Sequence, residues 1–101
     1  MDRRLKLHEL LCGILGSRNV YFQPPSNVKM QYDAIVYSRS NIENRHANNN
    51  VYKQNDVYEL TAIYEDPDSD IVRKISLLPR CRFDRQYVSE NLNHAVFTLY
   101  Y

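Results

Sequence analysis

The stretches "YDAIVYSRSNIEN", Tyr32 to Asn44, and "VYKQNDVYELTAIYE", Val51 to Glu65, decide how this chain folds. Both are rich in β-branched and aromatic residues, and both alternate as a strand with two dissimilar faces does. In the first, Ala34, Val36 and Ser38 share one face, with Ile35, Tyr37 and Arg39 on the other. In the second, Tyr58, Leu60, Ala62 and Tyr64 look one way, and Glu59, Thr61, Ile63 and Glu65 look the other. Between them "RHANNN" reads as a loop, because consecutive asparagines tolerate positive φ and compete for backbone hydrogen bonds. The two stretches are the arms of a large antiparallel hairpin. Its inner ends belong in a sheet, and its polar outer ends project beyond it.

Working outward, Arg3 to Leu15 reads as an amphipathic helix, with Leu7, Leu10 or Leu11, Ile14 and Leu15 at helical spacing. Gly16 supplies the left-handed residue that ends it. "NVYFQPP" is a short extended piece, stopped by Pro24 and Pro25, which cannot donate to a ladder. A second helix is expected from about Asp68 to Leu78, with Ile71, Ile75 and Leu78 as its apolar stripe and Pro79 as its stop. The remainder reads as a final hairpin. Cys81, Phe83, Arg85 and Tyr87 alternate up to a turn at "SENLN", and Ala95, Phe97, Leu99 and Tyr101 alternate against Val96, Thr98 and Tyr100 on the way out. The expected fold is α+β: an antiparallel sheet built from two hairpins, with two helices packed on one face.

At 101 residues the chain is one domain, 1–101, which buries only about 60–65% of its unfolded surface. Partners that covered more surface would add to its stability. Thirteen basic and twelve acidic residues leave a formal charge of +1, which is not the excess of a dedicated nucleic-acid binder. No apolar run nears the roughly 18–20 residues that cross a membrane. In "MDRRLKLHELLCGILG", His8 and Glu9 interrupt what a secretion signal would keep apolar. Cys12 and Cys81 match no zinc spacing and read as reduced, partly buried thiols of a cytosolic protein. Nine tyrosines and three phenylalanines against two glycines suit strands whose rings cover a sheet.

Three patterns resemble chemical sites, and each has a plainer explanation. Asp66, Asp68 and Asp70 match the first ligands of a calcium loop, but Ile71 stands where its glycine belongs and Leu77 where its glutamate belongs. The reading that explains every residue is a helix start, with Asp66 or Asp68 as the cap and Pro67 in the first turn. "HELLC" places His8 and Cys12 on one helix face, yet no third ligand accompanies them. His8, His46 and His94 lie far apart, and there is neither a nucleophile elbow nor a glycine-rich phosphate loop. No catalytic, cofactor or metal residue is assigned, and the chain reads as a non-enzyme. Arg80, Arg82 and Arg85 form the one basic cluster. Alternation places Arg80 and Arg82 on one face and Arg85 on the other, as on a charged edge strand.

The element order and several phrases resemble the tail-terminator, or tail-completion, proteins of long-tailed bacteriophages, in their short form from phages and prophages of Gram-positive bacteria. The likeness runs from about Leu5 to Tyr101 and rests on "NVYFQPP", "YDAIVYS", "YELTAIYEDPDSD" and "NLNHAVFTLYY". It implies a structural virion protein at the tail–neck junction, assembled in the host cytoplasm. The resemblance further implies a homo-oligomeric, hexameric ring that caps the tail tube, ends its polymerisation and offers the head-joining surface. Its partners would be the tail tube protein and the neck (head-closure) protein. No membrane and no sequence-specific nucleic acid is implied, although DNA would pass through the lumen.

On that reading Tyr58, Tyr64 and Tyr100 are candidate exposed anchors of the subunit interface, and Arg80, Arg82 and Arg85 are charge partners. The polar segment Asn41 to Asn55 is expected to order within the ring. Besides an enzyme using His94 or His46, which ranks last, there are two alternatives. One is the neighbouring head-closure protein, which the leading helix disfavours. The other is a small phage-encoded inhibitor that binds a host protein.

Overall fold

The computed structural model describes residues 3–24, 29–47 and 50–101, and the side chains of these except 43–55. Two helices and five strands follow in the order α1 (Arg3–Leu15), β1 (Val20–Phe22), β2 (Ala34–Ala47), β3 (Asn50–Tyr64), α2 (Ile71–Ser76), β4 (Cys81–Ser89) and β5 (Leu92–Tyr100). The strands form one sheet in the order β1-β2-β3-β5-β4.

The fold is α+β, as the periodicities indicate, but the sheet is mixed. "VYF" of the expected extended piece joins it as β1, parallel to β2, pairing Val20 with Ile35 and Phe22 with Tyr37. The cause lies at the end of α1. Gly16 turns the chain at φ 81, its N–H closing on the Cys12 carbonyl at 2.9 Å, and sends β1 back along the helix. A connection of some ten residues then returns to the start of β2. The N–H of Gln31 in this return donates to the Tyr21 hydroxyl at 3.3 Å.

The two hairpins meet through β3 and β5, which pair from Val57–Tyr100 to Tyr64–Asn93. This places β5 in the interior and β4 at an edge. Composition explains the choice. Apolar Ala95, Val96, Phe97 and Leu99 are all buried on one face or the other, whereas β4 is exposed along nearly all its length. The core lies between the helices and one face of the sheet. Leu7, Leu11, Ile71 and Ile75 pack with Ile35, Tyr37, Tyr58, Leu60, Tyr64, Phe97 and Leu99. Burying each such leucine or isoleucine stabilises the fold by about 1.5–3 kcal/mol.

α2 is shorter than the expected Asp68–Leu78. It begins at Ile71 with Asp70 in the cap position, and the Asp70 side chain makes no capping bond. Asp66 instead closes the preceding turn, its carboxylate accepting from the Asp68 N–H at 2.9 Å, and the Ser69 hydroxyl accepts from the Ile71 N–H. Neither Asp66 nor Asp68 caps the helix, because the turn holds the chain outside helical geometry until Asp70.

The β2–β3 hairpin runs beyond the rest of the sheet. Tyr101 still donates to the Asp56 carbonyl at 3.0 Å, but the pairs from Glu43–Asn55 to Ala47–Asn50 have no third strand among the described residues. Pairing continues further into the expected Arg45–Asn50 loop than the asparagines suggest; 48–49 lie outside the described residues. The ribbon adds roughly 16 Å to a molecule of 51 × 24 × 23 Å.

Candidate assembly surfaces

The face of the sheet turned away from the helices carries the chemistry that remains accessible. Register sets it out in rows. Arg82 stands beside Thr98, Thr98 beside Glu59, and Glu59 beside Ser38; Tyr87 stands beside His94, and His94 beside Ile63. Small apolar side chains fill its centre, and longer polar and aromatic ones stand along β4 and β5.

A β-bulge sets the composition of this face. Register slips between Phe83 and Arg85, so Phe83 opposes Phe97 while Arg85 opposes Val96. Simple alternation separates Arg85 from Arg82; the bulge returns Arg85 to the same side. Arg80, with φ 62, holds its guanidinium 5.7 Å from the centre of the Tyr100 ring on that side too. The three arginines thus share one face. Asp84, the bulged residue, accepts from the Thr98 hydroxyl and, at 2.8 Å, from Arg82 Nε. These two donors, the hydroxyl foremost, hold its carboxyl below the ordinary value of 3.8. Tyr87 stacks flat on His94, centroids 4.7 Å apart and planes 10° apart.

The expected aromatic anchors divide. Tyr100 lies half-buried beneath Arg80 on this face. Tyr58 and Tyr64 are 0% and 2% exposed, so they are core residues and cannot be surface anchors in this fold. The face holding Leu60 and Ala62 is the face covered by the helices, and both tyrosines follow it inward. Tyr58 keeps its hydroxyl satisfied on Asp56 Oδ2 at 3.3 Å, and Arg39 reaches the same carboxylate at 3.4 Å.

The other marked residues serve locally. His8 Nδ1 lies 2.8 Å from the Tyr37 hydroxyl, and burial lowers its pKa. The side chain of His46 lies outside the described set. Cys12 is buried and Cys81 half-buried, both unpaired; burial and then Asp84 push the Cys81 thiol up. Among the described residues no three His, Cys, Asp or Glu side chains converge as a metal site would require. A shallow cleft of about 320 Å³ between α2 and β4 is lined by Tyr64, Pro67, Ser69, Val72, Arg73, Ser76 and Gln86, without a nucleophile–base pair. No described helix is long and apolar enough to cross a membrane.

Sequence reading missed Asp84, Thr98 and the Tyr87–His94 stack. The bulge leaves no glycine or proline as a signal in "CRFDRQYVS". The exposed Val88 and Leu77, 67% and 79% accessible, follow from the same edge position and from the early end of α2. No family model, characterised protein or solved structure matches this chain at a significant level.

Proposed function

We propose that this chain is a structural assembly subunit of the tail-terminator kind, acting in a ring of its own copies at the tail–neck junction of a long-tailed phage. There it would cap the tail tube and present a surface to the neck. The observation that carries this reading is the projecting ribbon. Its outer pairs, Glu43–Asn55 to Ala47–Asn50, have no third strand among the described residues, and a two-stranded ribbon on its own is marginally stable in water. Contact with another molecule would complete it. The exposed edge strand β4 and the arginine-bearing face offer further surface for the same purpose. Two of the three histidines are engaged within the fold, His8 by Tyr37 and His94 by Tyr87.

Size exclusion with light scattering and native mass spectrometry test the proposal, applied to the chain alone and with tail tubes. The expected result is a closed multiple of the 12.0 kDa subunit. Replacing 43–55 by a two-residue turn should leave a folded monomer with nearly the same thermal midpoint. A native chain that stays monomeric in both settings overturns the reading. One-to-one capture of a host protein would replace it with the inhibitor reading.

A further inference from the structure

The formal charge of +1 conceals a separation of charge along the strand axis. At the Tyr100 end of the sheet, Arg82 stands opposite Thr98, the Arg80 carbonyl accepts from Tyr100, and Arg39 stands opposite Tyr58. Arg3 reaches the carbonyl of Tyr101 at 3.5 Å. Among the described residues Asp56, Glu59 and Asp84 are the carboxylates at this level, and two of them already hold an arginine: Asp56 with Arg39, Asp84 with Arg82.

The opposite end, where Ala34, Tyr64 and Asn93 lie, is acidic. Glu65, Asp66, Asp68 and Asp70 follow β3, Asp33 accepts from the Glu65 N–H at 3.2 Å, and Glu90 sits in the β4–β5 turn. Arg73 and Lys74, the latter paired with Asp70 at 3.5 Å, are the cations closest in sequence. The pairs from Val57–Tyr100 to Tyr64–Asn93 separate the two ends by about 23 Å. That is nearly three Debye lengths at physiological salt, so the ends of one molecule do not neutralise each other.

We propose that copies of this chain associate head to tail, the acidic Glu65–Asp70 turn of one copy seating against the Arg3 and Arg82 end of the next. This inference rests on the reading that the chain assembles with itself, and it names the two patches that meet. They differ, so the contact is heterologous. Such a contact closes into a ring when the rotation between copies permits. Charge of opposite sign on the two patches sets the register and speeds encounter.

A charge-swap experiment tests it. Arg3→Glu with Arg82→Glu makes both ends acidic, and Glu65→Lys with Asp68→Lys makes both basic. Each double variant should be monomeric where the native chain is assembled, with dissociation constants raised at least about tenfold. An equimolar mixture should assemble again, the two variants alternating. Native association should weaken by about tenfold between roughly 50 and 500 mM NaCl. Circular dichroism checks the fold; should a reversed variant unfold, Arg3→Gln/Arg82→Gln and Glu65→Gln/Asp68→Asn give the same comparison with smaller loss. Native-like assembly of either variant alone, or a mixture that stays monomeric, overturns the inference while leaving self-assembly intact. A monomeric native chain overturns both.

Discussion

The hydroxyl of Tyr37 on β2 lies 2.8 Å from Nδ1 of His8 on α1. Arg4 donates to the same hydroxyl at 3.3 Å, and the hydroxyl keeps a second lone pair and its own proton, so the imidazole tautomer sets which way the His8–Tyr37 bond runs. Burial, then Arg18 and Arg4, lower the His8 pKa below 6.5, with Glu9 opposing. A charged imidazole here would lose hydration and face two guanidinium groups.

The half-buried neutral His8 therefore contributes stability that is complete above pH 6.5 and declines as pH falls below it, because the unfolded chain binds this proton first. Urea midpoints of wild type and His8→Gln, measured from pH 8 to 5, check the sign. The advantage of wild type should shrink as pH falls. An advantage that stays constant across that range rules the coupling out.

Tyr58 and Arg82 should behave as core and surface. Tyr58 is fully buried against Tyr37, their rings 5.9 Å apart, so Tyr58→Ala should cost about 3–5 kcal/mol in urea unfolding. Arg82 is exposed and paired with Asp84 at the surface, so Arg82→Ala should stay within about 1 kcal/mol of wild type. Equal costs would contradict the placement of the two faces.

The β4–β5 turn holds Glu90 at φ 52 and Asn91 at φ 65. Asparagine accepts this region readily, but glutamate does so at a cost. Glu90→Asn with Asn91→Gly should therefore stabilise the chain by about 0.5–1.5 kcal/mol, read as a higher thermal midpoint. A lower midpoint would mean that the turn does not need positive φ.

The Asp84 carboxyl should titrate below 3.8, and Thr98→Val should raise it toward that value by removing the largest stabilising contact. Carboxyl carbon shifts followed by NMR report this directly. Its contribution to stability is present above about pH 4 and lost as pH falls through the folded value. A carboxyl that titrates identically in both proteins would refute the Thr98 bond.

Local chemistry determined much of this protein before any tertiary contact is considered. The apolar stripe of α1 with Gly16 behind it, and the alternation of β2, β3 and β5, depend on periodicity and single-residue conformational preference. Those act over a few neighbouring residues, so they are legible in order along the chain. The projection of the hairpin's polar outer ends was legible too, because polar side chains on both faces leave nothing for a core to cover.

Tertiary structure decided the rest. Only the return of the chain along α1 brings Val20–Phe22 beside β2 and makes the sheet mixed. Alternation pairs Tyr58 with Tyr64 but cannot say which face the helices cover; burial of Leu60 and Phe97 beneath α1 and α2 settles that both rings point inward. The arginine face depends on one extra residue at Asp84, fixed by Thr98 fourteen positions away. A bulge is a property of two paired strands, and no single strand carries it.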